Sequence, residues 1–216
     1  MMKQRSSDIW PAVHLERRTL VRDLSSLTPS DWGTPSLCPG WDIHDVVAHI
    51  VDTAKTTRLG FVRRMLAVRF DFDRDNAEGV ARERAASPQD TLAALEEVLT
   101  RSTTPPAPLA TRLVEMFVHG EDIRRPLGIS RTYPPALVAE ALAYQVATGT
   151  NMGGGKELAR GWRLVASDTE FVYGTGPEVR GEAISLLLAV SGRPVGPDEL
   201  TGAGSQHFVA GTTTAS

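Results

Sequence analysis

The amino-acid sequence predicts a mainly helical chain: a bundle of helices followed by a short strand–strand–helix appendage. Three observations lead there. Most of the first two-thirds carries apolar residues at helical spacing, opened by helix-starting signals. A glycine cluster at residues 149–155 then interrupts the pattern. Beyond it, short runs rich in Val, Leu, Phe and Tyr, separated by turn residues, read as strands.

Taken in order, the first helix is expected over residues 8–27, with Ser7 as N-cap and Pro11 in its first turn. Ile9, Val13, Leu20, Leu24 and Leu27 roughly share one face. Residues 28–40 hold three prolines and two glycines and must form an irregular connection. A second helix starts after Pro39-Gly40-Trp41, with Asp42 as N-cap, Asp45 at the third helical position, and Trp41 and Val46 placed for a hydrophobic staple. Its apolar positions continue through Val46, Val47, Ile50 and Val51 towards Phe61 and as far as Leu66. Residues 70–86 are polar and leave helix or loop open. Ser87-Pro88-Gln89-Asp90 gives cap, first-turn proline and third-position acid in order, for a helix ending near Ser102. Further helices are expected over residues 109–125, stopped by Pro126 and Gly128, and over 135–148. The glycine cluster reads as a flexible joint. Residues 162–166 and 170–173 look like two strands around Ser167-Asp168-Thr169, and residues 181–191 like a helix. The end of the chain, rich in Gly, Ala, Ser and Thr, is expected to be disordered. The expected division is therefore a helical bundle over 1–150, a small α+β domain over 156–200 and a disordered tail over 201–216.

At 216 residues the chain can bury a real core. Hydrophobic residues make up 41% and charged residues 23%, which places it among globular rather than disordered chains. The formal net charge of -3 gives no electrostatic reason to expect nucleic acid. The basic pairs Arg17-Arg18, Arg63-Arg64 and Arg124-Arg125 have acidic neighbours and read as solvated helix faces. One cysteine, Cys38, excludes an internal disulfide and fits a reducing cytoplasm. The start of the chain lacks the layout of a signal peptide, and the longest apolar run, Ile184 to Val190, is too short to cross a bilayer. A soluble, cytoplasmic protein with no membrane or nucleic-acid partner is expected.

The chemistry lies on two helices. One contains Glu115, His119 and Asp122, the other Asp45, His49 and Asp52, so an acid, a histidine and an acid recur at i, i+4 and i+7. Residues four apart stand one turn above each other, so Glu115 and His119 can chelate one ion. Facing stripes would add the His49 imidazole. Two imidazoles and a carboxylate are a zinc donor set that leaves a position open, and bundle cores hold metals in this way. Spacing alone keeps other readings alive. His49 could be a hydrogen-bonded core histidine, and Glu115 and His119 an intrahelical pair. Asp45 reads as a capping acid, and Asp52 and Asp122 as surface groups or as carboxylates orienting metal-bound histidines. His44 is expected to be exposed, and His14 and His207 are expected at the surface. Cys38, in a loop, is counted neither as ligand nor as nucleophile.

Three segments carry a family resemblance. Residues 36–50 (SLCPGWDIHDVVAHI), 115–128 (EMFVHGEDIRRPLG) and 179–193 (VRGEAISLLLAVSGR) resemble, in order, the motifs of the mycothiol-dependent maleylpyruvate isomerase family. That family lies within the DinB-like superfamily of metal-binding bundles. The resemblance implies a DinB-like four-helix bundle followed by the small C-terminal domain. It also implies metal ligands at the histidine closing the Trp-to-His motif and at a Glu-x-x-x-His pair, which fall on His49, Glu115 and His119.

What the resemblance implies about function is a divalent metal, zinc by its donor set, with a mycothiol-like thiol as cosubstrate. A coordinated thiol loses its proton at neutral pH and becomes a nucleophile towards a small electrophile. With a maleylpyruvate-like substrate, thiolate addition to the activated double bond, rotation and elimination would give the trans isomer. Displacement of a leaving group or opening of an epoxide would make it an S-transferase instead. Mycothiol's sugar–inositol end carries no carboxylate and needs hydroxyl-rich contacts, whereas a dicarboxylate substrate needs cations. The family's C-terminal Gly-Arg falls on Gly192-Arg193, and an arginine of that domain is implicated in activity, which makes Arg193 a catalytic anion anchor. A structural or exposed arginine is the other reading of that residue. The part beyond the glycine joint is short, which motivates an alternative: a non-catalytic metal- or small-ligand-binding protein that keeps the bundle. Bundles of this kind often pair through exposed apolar faces, so a homodimer is also considered.

Overall fold

The capping signals named above become helix ends. In the computed structural model, which describes residues 2–213, α1 is Met2–Leu24, α2 is Ile43–Lys55 and α3 is Arg58–Ala67. They are followed by α4 Phe72–Glu83, α5 Pro88–Glu97 and α6 Ala110–Arg124. The capping box of α2 is reciprocal: the Asp42 carboxylate accepts from the Asp45 N–H (2.8 Å), and the Asp45 carboxylate from the Asp42 N–H (3.1 Å). The Ser87 hydroxyl accepts from the Asp90 N–H at the start of α5.

Several boundaries differ from expectation. Ser7 lies inside α1, not at its cap, and Pro11 is an interior residue. The second helix stops at Lys55, because Thr57 caps a new helix by accepting the Gly60 N–H. The polar stretch left open is helical, capped by Asp71 through the Arg74 N–H. α5 ends at Glu97, short of Ser102.

The chain forms two compact units, Met1–Ser130 and Arg131–Ser216. The division falls before the helix at residue 135 rather than at 150, so that helix belongs to the second unit. In the first unit, α1 and α2 each pack against both α5 and α6, which makes the four-helix bundle, and α4 lies along α2. Its interior holds Val13, Leu20, Ile43, Val47, Ile50, Leu95, Leu113 and Phe117, all 1% exposed or less. Burial of each such side chain contributes about 1.5–3 kcal/mol.

Charges share this core, contrary to the reading of the basic pairs as solvated faces. Arg17 is 2% exposed and Arg124 0%. Nε of Arg124 donates to Asp23 Oδ2 at 2.8 Å, with Glu16 Oε2 at 3.6 Å from Nη1. These long-range pairs explain why the apolar stripe of α1 breaks between Val13 and Leu20. Asp52 is neither a surface group nor a partner of a histidine. It accepts from Arg64 (2.9 Å) and Arg82 (2.7 Å), tying α2 to α3 and α4. Gly79 allows this close approach, since a Cβ there would stand 2.7 Å from Asp52 Oδ2.

The second unit opens with α7, Pro135–Ala147, which packs on α8, Ala183–Val190. The two expected strands are β1, Arg163–Ala166, and β2, Val172–Tyr173. Two more follow: β3, Glu178–Gly181, and β4, Leu200–Thr201. The sheet order is β2-β1-β3-β4, with β1 and β3 parallel and both outer pairs antiparallel. The glycine cluster is packed, not a joint: a Cβ at Gly154 would lie 2.0 Å from the Thr148 carbonyl oxygen, and one at Gly155 2.1 Å from that of Val190. The expected disorder is also corrected over residues 201–213. Residues 205–213 form a helix, α9 (Ser205–Thr213), whose buried Phe208 meets the Trp162 ring edge-on at 5.7 Å; residues 214–216 lie outside the described part. Among the described residues, no helix is long and apolar enough to cross a membrane.

Candidate metal centre

The capping box starts α2 at a fixed residue, and that start sets which side chains face the bundle. His49, two turns in, is 5% exposed. Opposite it, α6 presents Glu115 and His119 one turn apart. His49 Nε2 stands 3.1 Å from Glu115 Oε1, and His119 Nε2 stands 3.9 Å from the same oxygen. One donor atom from each of the three residues lies within 4.8 Å of the others. The imidazole rings of His49 and His119 meet edge-on at 4.8 Å.

The surroundings orient these donors. His119 Nδ1 lies 2.8 Å from Oδ2 of Asp122, a carboxylate with no exposure. An ionised carboxylate only accepts, so Nδ1 carries a proton and Nε2 is the ring nitrogen turned towards Glu115. This is the orienting role considered for Asp122. His49 is held differently. Its Nδ1 is buried with no hydrogen-bond partner among the described residues, and the Trp41 ring packs against it at 4.9 Å. The loop carrying Trp41 is tied to α6 where the Leu37 N–H donates to the Asp122 carbonyl (3.1 Å).

Glu115 Oε1 is buried without a hydrogen bond, because the 3.1 Å approach of His49 lies outside hydrogen-bond geometry. Burial works against ionisation of Glu115. The adjacent His49 and His119, with Arg112, outweigh it and hold the carboxyl well below the usual carboxylate range. A carboxylate and two imidazoles that converge with no well-aligned hydrogen bond between them suit a cation. Zinc 2.0–2.2 Å from each donor at tetrahedral angles needs donors about 3.3–3.6 Å apart; the separations of 3.1 and 3.9 Å from Glu115 Oε1 bracket that range, with all three donors within 4.8 Å of one another. The residues therefore fit the implied ion.

The remaining candidates separate clearly. Asp45 is the capping acid and also pairs with Arg84 (2.6 Å). His44, expected to be exposed, is 4% exposed; it shares a 2.7 Å hydrogen bond with Thr91 and packs on Trp32. His14 is half-buried, stacked on Trp10, and His207 is exposed. Arg193 belongs to the second unit. It follows Gly192, whose φ of +74° turns the chain after α8, and donates to the Ser191 carbonyl at 2.8 Å. Sequence reasoning missed Trp41 as a wall for His49, since ring packing leaves no spacing signal. It also missed Arg17 and Arg112 beside Glu115. Burial, then repulsion from Arg112, pushes the Arg17 guanidinium down to about 10, with Glu115 opposing.

The family described as mycothiol maleylpyruvate isomerase N-terminal domain matches residues 13–124, more than half of the chain and all three donor residues. The chain belongs to that family. Comparison with curated proteins finds no match. Among solved structures, the crystal structure of the mycothiol-dependent maleylpyruvate isomerase is similar with a TM-score of 0.64 at 18% identity. The similarity covers 92% of this chain and 93% of that one. A mutant of that isomerase with a histidine replaced by alanine gives the same values. At that identity the likeness establishes the fold alone. It also removes the idea of a trimmed C-terminal part, since nearly the whole of the solved chain has a counterpart here.

Proposed function

We propose that this chain is a metal- and thiol-dependent enzyme of the maleylpyruvate isomerase type, with His49, Glu115 and His119 as its metal ligands. The observation carrying the reading is the convergence of two imidazole nitrogens on Glu115 Oε1, a buried oxygen without a hydrogen bond, which brings three donor atoms together. A divalent ion held there, zinc by the donor set, would supply the electrostatic pull that keeps a coordinated thiol ionised at neutral pH.

The chain's own residues do the rest. Asp122 holds the His119 proton on Nδ1, and Trp41 limits rotation of the His49 ring. The aliphatic bundle covers most of each donor side chain, leaving 7% of His49, 16% of Glu115 and 14% of His119 exposed. The cosubstrate is a mycothiol-like thiol, and the substrate a small electrophile with an activated double bond. Thiolate adds to that bond, the resulting single bond rotates, and elimination returns the thiolate with the trans alkene. Arg193 is proposed, on its family position, to bind a substrate carboxylate. The reducing cytoplasm is the setting that keeps such a thiol available.

The test is an assay of purified protein with mycothiol and maleylpyruvate, read alongside metal content. Trans product formed only with thiol and metal present, and abolished in His49→Ala, supports the proposal. Consumption of mycothiol with other electrophiles would mark S-transfer instead. Full activity in His49→Ala would refute the site, and tight ligand binding without turnover on any electrophile would refute the enzyme.

A further inference from the structure

Two buried arginines lie within electrostatic reach of Glu115, and among the described residues neither is bonded to a carboxylate. Arg112 is 6% exposed and lies on α6 three residues before Glu115, on the same helix face. Its hydrogen bond goes from Nε to the neutral Oγ1 of Thr111, at 3.3 Å. Arg17, from α1, is 2% exposed and donates through Nη1 to the carbonyls of Val98 (3.1 Å) and Arg101 (2.8 Å). Its Nε is buried with no hydrogen bond. Among the described residues neither arginine enters an ion pair, while Arg124, equally buried, has Asp23 and Glu16.

Buried charge is costly unless it is paired. Here two guanidinium groups accompany the carboxylates of Glu115 and Asp122, and a divalent ion adds two further positive charges. One thiolate still leaves a positive charge over, and a second anion would balance it. We propose that Arg112 is a carboxylate-binding residue of the bundle, donating through its planar fork to a carboxylate of the small electrophile, with Arg17 as a fixed neighbouring positive charge. A guanidinium fork matches the two oxygens of a carboxylate. The thiol cosubstrate has no carboxylate to offer, so this group comes from the electrophile. Arg112 thereby gives the bundle an anion contact of its own, independent of Arg193. The inference rests on the metal reading above.

The probe is succinate, a dicarboxylate with no double bond to react, titrated calorimetrically into the zinc-loaded full chain at neutral pH. Arg112→Gln is expected to weaken succinate binding about tenfold or more, the range for losing a charge-assisted hydrogen bond. Zinc affinity, measured by chelator competition, is expected not to fall, because removing a nearby cation cannot disfavour another cation. A merely structural arginine would instead lower zinc affinity and melting temperature with no selective loss of succinate. Arg112→Lys keeps charge and length but loses the fork, and is expected to lose more than threefold, less than Arg112→Gln; if Arg112→Gln does not fold, the lysine variant decides. Wild-type succinate affinity in the folded variants, or no succinate binding by the zinc-loaded wild type, overturns the proposal. Failure of the wild type to bind zinc refutes the metal reading separately. The same titration on the metal-free chain then still decides Arg112: an arginine-dependent affinity sustains its role and none overturns it.

Discussion

Replacing Asp122 by asparagine perturbs the site without touching a ligand. The wild-type carboxylate has no exposure and accepts the His119 Nδ1 proton at 2.8 Å, which points Nε2 at Glu115. Asparagine keeps the shape and can still present a carbonyl oxygen, but it loses the charge. A hydrogen bond to a charged group contributes about 1.5–3 kcal/mol, against about 0.5–1.5 for a neutral one. The difference of roughly 1–2 kcal/mol corresponds to about a five- to thirtyfold loss of affinity. That overlaps the lower part of the roughly 10–100-fold commonly associated with groups that orient metal ligands. The assay is zinc affinity by competition with a chromophoric chelator, with circular dichroism confirming the fold. Unchanged zinc affinity in a folded Asp122→Asn chain would refute the claim that Asp122 orients His119 for a metal.

Other consequences can be checked in the same way. Trp41→Ala removes the ring packed at 4.9 Å on His49, whose Nδ1 lacks a hydrogen bond, and should weaken zinc binding about tenfold in the same competition assay. Asp42→Ala removes the α2 cap and should lower stability by about 1 kcal/mol in urea unfolding. Burial works against the Asp42 charge, but its bonds with Arg84 and the Asp45 N–H hold the carboxyl below its ordinary value. The stabilisation from Asp42 is therefore present above the normal carboxylate range and fades as pH falls through the lowered value, so the wild-type and Asp42→Ala urea midpoints should converge in acid. Arg124→Ala removes the guanidinium that pairs with Asp23 and the buried Glu16 and should cost about 3–5 kcal/mol, read as a lower urea midpoint. Gly79→Ala forces a Cβ to within 2.7 Å of Asp52 Oδ2 and should cost about 1–3 kcal/mol, read as a lower melting temperature.

What was legible in the sequence was local. Asp42 with Asp45, and Ser87 with Pro88 and Asp90, mark helix starts because each cap bonds a residue three positions away. The placing of Glu115 and His119 one turn apart could be read from spacing for the same reason. His44 and His49 share one helix, and spacing alone could not say which faces α6; Thr91, on α5, settles His44. The rest depends on distant partners. β4 pairs only two of its residues, with a strand about twenty residues upstream, so nothing in Leu200–Thr201 announces it. Arg124 reaches across 101 residues to Asp23, and Arg17 across 81 to Val98, so both looked like surface charge. The glycines at 154 and 155 appeared loose because glycine serves close packing as readily as flexibility.

The central claim is that His49, Glu115 and His119 hold a metal that accepts a thiol. X-ray absorption at the zinc edge of the zinc-loaded chain, before and after adding mycothiol, tests it most directly. The expected result is nitrogen and oxygen scattering with imidazole features before the thiol, then one added sulfur at about 2.3 Å. Zinc without imidazole scattering, or a spectrum that mycothiol leaves unchanged, would contradict it.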